Sequence, residues 1–174
     1  MKVTLNLKSP MWDSQKRRAK LDQVVQESAA DLESEIKQKI LNSVPAGRVY
    51  RKGSITARAT KPLLALGLKT ARGNAKRVVV GASIHRASAP GQPPAVDTSG
   101  LVNSIRAKKT AEMKSTVATS KKYAAALDDG AKGAGKSRTV TIKPRPFFKS
   151  TAEAFAPKFK KNVQDAVADL TKAE

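Results

Sequence analysis

Cysteine is missing from this sequence, which excludes disulfides and thiolate metal sites and fits assembly in a reducing compartment. Histidine is nearly missing too. With only His85 present, zinc sites built from histidine and cysteine fall away, as does any histidine-dependent triad unless His85 serves; the plain reading of a lone histidine in a basic stretch is a solvated one. Aromatics are scarce: Trp12, Tyr50, Tyr123, Phe147, Phe148, Phe155 and Phe159 are all there are, so the interior must be mostly aliphatic and alanine-rich. Nowhere do about eighteen apolar residues run together, so no membrane-spanning helix is expected. Met1 to Leu7 is too short and too alternating for a signal peptide, and a soluble chain that is not secreted by that route follows.

Acidic residues are absent over long stretches. None lies between Glu35 and Asp97, although Lys37, Lys39, Arg48, Arg51, Lys52, Arg58, Lys61, Lys69, Arg72, Lys76, Arg77 and Arg86 fall there; a second acid-free stretch separates Asp129 from Glu153. Over 174 residues, 34 lysines and arginines against 14 acids give a net charge of +20. One-signed segments repel themselves and need an anionic partner or stay mobile. Three readings are open: contacts to DNA phosphates, docking on an acidic neighbouring protein, and a merely solvated surface.

What is present reads as one α+β domain spanning 1–174. Val3, Leu5 and Leu7 alternate as in a half-buried strand, which Pro10 ends. From Ser14 to Asn42, Leu21, Val24, Val25, Leu32, Ile36 and Ile40 recur at helical steps with Ala29 filling the missing turn, predicting a helix of roughly 43 Å. Val44-Pro45-Ala46-Gly47 stops it. Residues 48–88 read as an elongated basic excursion, with extended hints at Val49-Tyr50, Ile55 and Val78–Val80 and a brief apolar contact at Leu63–Leu66. Ala89 to Gly100 holds three prolines and two glycines, which no helix or central strand tolerates, and predicts an extended arm. Thr98 or Ser99 would cap a short helix from Leu101 to Ala107. Ser115–Thr119 is β-prone, Tyr123–Leu127 a short helix, Gly130–Ser137 a flexible loop and Arg138–Lys143 a strand. Ser150-Thr151-Ala152-Glu153 has the form of a capping box opening a last helix, with a kink or restart expected at Pro157. The predicted sheet is small and mostly antiparallel, built from Val3–Leu7, Val78–Val80, Ser115–Thr119 and Arg138–Lys143 and packed against the first and last helices, with the arm and the basic loop projecting.

Gly130-Ala131-Lys132-Gly133-Ala134-Gly135-Lys136-Ser137 formally matches the phosphate-binding G-x-x-x-x-G-K-[ST]. Its flanks disagree. Such a loop needs a buried strand before it and a helix behind it, whereas Asp128-Asp129 precede this one and a proline-bounded alternating run follows. Asp128 and Asp129 sit adjacent on a helix end and point different ways, which suits an end or interface role better than acid–base work. Asp97 is expected to bond nearby backbone and hold the arm. No nucleophile has an evident base, so no enzymatic activity, cofactor or metal is expected.

Three blocks in order carry a resemblance: Gly91-Gln92-Pro93-Pro94-Ala95-Val96-Asp97-Thr98-Ser99-Gly100-Leu101, then Tyr123-Ala124 with Leu127-Asp128-Asp129-Gly130, then Arg145-Pro146-Phe147-Phe148. Together they resemble the tail-component family of long-tailed phages, the gene-product-ten-like tail-completion or neck proteins. That family reads roughly as Pro-Pro-x-x-Asp-Thr-Gly-x-Leu, Tyr-Ala-x-x-Leu-Glu-x-Gly-Thr and Arg-Pro-Phe-Leu. Here Ser99 is inserted before Gly100, Asp128 stands for the glutamate, Ala131 for the threonine and Phe148 for the leucine, and the first half of the chain is not covered. The resemblance implies a structural virion protein, assembled in the host cytoplasm, that completes the tail and joins the neck within an oligomeric ring, six-fold by the tail's symmetry. Its neighbours would be tail-tube, terminator or head-closure proteins, with no membrane involved.

On that reading Pro90, Pro93, Pro94, Asp97, Leu101, Tyr123, Arg145 and Phe148 serve subunit and partner contacts, with Phe147 anchoring the last helix and Phe148 exposed. Arg48, Arg51, Lys52, Arg58, Lys61, Arg72, Lys76 and Arg77 would meet DNA in the bore or an acidic partner. The competing class is a free-standing nonspecific nucleic-acid-binding protein; a tail-terminator-like or nucleotide-binding protein is more distant.

Overall fold

The computed structural model describes residues 1–7, 15–52, 83–134 and 137–172, without the side chains of Arg51, Lys52 and Ser83. The expected strand at Val78–Val80, the apolar contact at Leu63–Leu66 and the extension at Ile55 lie outside the described residues.

Alternation in the first residues gives β1 (Lys2–Asn6) and the long periodic stretch gives α1 (Gln15–Leu41). A two-stranded ribbon follows, β2 (Val49–Lys52) against β3 (Ser83–Arg86), then a short helix α2 (Gly100–Ser104), β4 (Ile105–Ala111), β5 (Lys114–Thr119) and α3 (Tyr123–Asp128). β6 (Ala131–Ala134), β7 (Val140–Ile142) and α4 (Lys149–Lys172) complete the α+β fold.

The main sheet has three antiparallel strands in the order β1-β5-β4. Val3 pairs with Val117 and Leu5 with Ser115 on one side of β5, Ile105 with Thr119 and Ala107 with Val117 on the other, so these residues share one face. α1 lies over that face, packing on β4 and β5, and α4 runs along α1. Leu21, Val25, Ser28, Ala29, Leu32, Ile36 and Ile40 form the buried stripe of α1. Val25, Ala29, Leu32, Ile36 and Ile40 join Leu5, Val102, Ile105, Val117, Ala124, Phe147, Phe148 and Phe155 in one core, each large side chain contributing about 1.5–3 kcal/mol by leaving water.

Three expectations are corrected here. The helix predicted over Leu101–Ala107 stops at Ser104, and Ile105 (φ −79°, ψ 123°) turns the chain into β4. The β-branched Ile105 is fully buried opposite Thr119, so tertiary packing overrides the local helical spacing. β7 does not join the main sheet: it pairs with β6, a strand formed by part of the stretch expected to be a flexible loop. α4 continues as one helix through Pro157, with no restart. Pro157 and Glu153, whose carbonyl loses its donor, are both exposed, so water satisfies the broken step.

Two acids on α1 tie the helix to the sheet. Asp22 accepts from the Met113 N–H at 2.9 Å and pairs with Lys109, and Glu33 accepts from the Ala107 N–H and from Lys37. Burial opposes ionisation of both carboxyls, yet the lysine and backbone donors outweigh it and hold each below its ordinary value. Glu33 thereby covers one backbone donor on the outer edge of β4.

Candidate partner-binding surfaces

The arm lies along the body instead of projecting. The Ser43 hydroxyl donates to the Pro93 carbonyl at 2.8 Å, the Gly91 N–H to the Pro144 carbonyl at 2.9 Å and the Ala89 N–H to the Gln92 side-chain oxygen at 3.2 Å. Ser88 and Pro94 are buried. Gly47 permits this approach: a Cβ there would sit 2.6 Å from the Ser88 carbonyl oxygen, and its own N–H donates to Ala87.

The arm's end does not use the expected cap. Ser99 occupies the N-cap position of α2 in the left-handed region (φ 54°) and makes no side-chain cap bond. Asp97, which is exposed, has its carboxylate 3.6 Å from His85 Nδ1, so the half-buried His85 joins arm and ribbon rather than being simply solvated. Pro94, Val96, Leu101, Ile40, Tyr123 and Leu127 border a small cavity of about 230 Å³.

Asp128 and Asp129 part as expected. The buried Asp128 carboxylate accepts from the Phe147, Phe148 and Lys149 N–H groups at 2.8, 2.8 and 3.2 Å, and so caps the start of α4 from another element. Asp129 faces solvent and bonds the Lys149 ammonium, raising it above its ordinary value. The capping box is not formed: α4 begins at Lys149, Ser150 bonds Lys39, and Thr151 donates back to the Phe147 carbonyl. The neighbouring turn needs its glycine, because Gly130 has φ +79° and a Cβ there would meet the Ile142 carbonyl oxygen at 2.9 Å.

Phe148, expected to be exposed to a partner, is fully buried. It packs edge-on against Phe147 with ring centroids 6.1 Å apart, because the Asp128 cap draws both aromatics inward. Phe147 anchors α4 as expected. Pro94 likewise faces the chain's own interior. Arg145 is half-buried; its guanidinium donates to the Ser88 carbonyl at 3.3 Å and its N–H to Leu127 at 2.7 Å. Of the remaining candidates, Pro90, Asp97 and Tyr123 are exposed, and Pro93 and Leu101 half-buried.

The ribbon presents apolar side chains to solvent. Ile84 is 71% exposed and Val44, just ahead of β2, 76%; Val49 and Tyr50 are also exposed. Ile84 pairs with Arg51 and Val49 with Arg86, which sets Ile84 and Val49 diagonally on one face. Arg48 lies over the Tyr50 ring, 5.6 Å from its centroid. Arg51 and Lys52 are in β2, while Arg58, Lys61, Arg72, Lys76 and Arg77 lie outside the described residues.

A second basic group was not singled out from the sequence: Lys2, Arg106, Lys108 and Lys114 come together on the main sheet's outer face through the β1-β5-β4 register. In the sequence only the alternation in β1 and β5 points to it, because β4 carries no clear alternation of its own. Among the described residues no group of three or more histidines and acids is placed to hold a metal ion, and no helix is long and apolar enough to cross a membrane. Gly130 to Ala134 form a turn and a hairpin strand, not a loop opening a helix. Comparisons with protein-family models, with curated proteins and with solved structures return no match.

Proposed function

We propose that the chain is a structural virion protein of the phage neck or tail, which completes the tail and joins it to the head as one subunit of a ring. The observation that carries this reading is a convergence. The three blocks of the resemblance, spread over residues 91–148, build one body: Asp128 caps Phe147 to Lys149, Arg145 bonds Leu127, and the Pro94–Leu101 segment meets Tyr123 and Leu127 around one cavity. Motif residues that jointly fix the path of an arm and the start of a helix act as scaffolding, and the exposed residues beside them are the candidates for subunit contact.

The action is stoichiometric. Exposed Ile84, Val49 and Tyr50 dock on a neighbouring subunit, and the basic stretch between β2 and β3 meets tail-tube, terminator or head-closure protein. Light scattering and negative-stain electron microscopy of the purified chain, alone and mixed with tail-tube protein, test this. A discrete closed ring of six is expected, and the Tyr50→Ser/Ile84→Ser variant should fall apart to smaller species that keep the parent's circular dichroism. A monomer at every concentration that ignores tail components would overturn the proposal.

A further inference from the structure

The register of the main sheet sorts its side chains sharply. One face is covered by α1, and no described helix lies on the other. That outer face carries Lys2 and Thr4 from β1, Lys114 and Thr116 from β5, and Arg106 and Lys108 from β4. The Thr116 hydroxyl lies 3.2 Å from that of Thr4 and 3.3 Å from that of Thr110, a row of hydroxyls crossing all three strands. Beside it an open trough of about 480 Å³ runs along β4 and β5. Among the described residues, the paired positions of this face hold no acid. Glu33 meets Arg106 only around the β4 edge, at 3.8 Å, with the Arg106 side chain 70% exposed.

We infer that this outer face binds the phosphate backbone of duplex DNA without reading its sequence. Lysine, arginine and threonine are the donors that phosphates take, and among its described residues the face offers no aromatic platform of the kind single strands stack on. Nor does it hold the aromatic or large aliphatic anchor around which a protein interface is built; Ala118 is its one apolar residue among the paired positions. The face spans about 10 Å across three strands, and basic residues two apart along a strand sit about 7 Å apart, so several phosphates meet it together. This surface is separate from the apolar ribbon, and a result of either sign leaves the ring proposal standing.

The test is fluorescence anisotropy of the full chain with a labelled duplex over a series of salt concentrations. Each phosphate contact contributes about 0.9 to the slope of log affinity against log salt. The variant Lys2→Gln/Arg106→Gln/Lys108→Gln/Lys114→Gln is expected to lower that slope by about 3 to 4. The control, Lys16→Gln/Lys160→Gln/Lys161→Gln/Lys172→Gln, removes the same charge from the helices and should change it by less than 1. If the four-fold variant does not fold, Arg106→Gln/Lys108→Gln and Lys2→Gln/Lys114→Gln should each take about half of the effect. Equal losses in face and control variants, an unchanged slope, tighter binding of single strands than of duplex, or a face that captures polyglutamate while duplex binding is untouched would each overturn the inference.

Discussion

Asp128 and Asp129 are neighbours in the chain and opposites in effect. One is buried and satisfies three amides at the start of α4; the other is exposed and holds a single lysine. Asp128→Ala leaves buried N–H groups without an acceptor and is expected to cost roughly 2–4 kcal/mol in denaturant unfolding, with Asp128→Asn costing less because one oxygen remains. Asp129→Ala, which breaks only an exposed pair, should cost about 0–1 kcal/mol. Asp22 and Glu33 set a pH dependence. Both ionise more readily folded than unfolded, so their contribution is complete above their ordinary values of 3.8 and 4.5 and is lost as pH falls through the lower folded-state values. The Asp22→Asn/Glu33→Gln variant should therefore be less stable than the parent at neutral pH and lose less on acidification, as read from melting temperatures across the acid range.

At the scale of elements, what could be read from the sequence followed the strength of each local pattern. α1 has a seven-residue buried stripe and was predicted within a residue at either end. β1 and α3 also carried their own signals. β4 did not, because Ile105 and Ala107 are its only inward-facing apolar residues and Ala107 is too small to mark an alternation. The cap of α4 was out of reach for another reason. It comes from Asp128, some twenty residues upstream, so no window around Ser150 could contain it. The outward side of Phe148 was misjudged on the same account, since burial follows from the cap and not from the adjacent prolines. Pro157 is an exposed weak point in α4. Pro157→Ala restores a donor in an exposed helix and should raise stability by about 1–3 kcal/mol in thermal or denaturant unfolding.

For the whole molecule, net charge and architecture divide the surface by chemistry. The sheet's open side is cationic and hydroxyl-rich, the ribbon apolar with arginines beside it, and the body is held by one core around α1. Composition alone announced the positive excess but not its allocation to two distinct surfaces, which needed the strand register. The long acid-free excursion is confined at its base: it departs from Lys52 and returns at Ser83, residues that pair directly across the ladder and so lie about 5 Å apart. The ladder therefore holds the two ends of that stretch together whatever sequence joins them. Splicing Asn-Gly in place of residues 53–82 should yield a chain that still folds with a cooperative melt, as read by thermal unfolding. An insert whose ends are pinned so closely can vary in length and sequence while the two strands that anchor it keep their register.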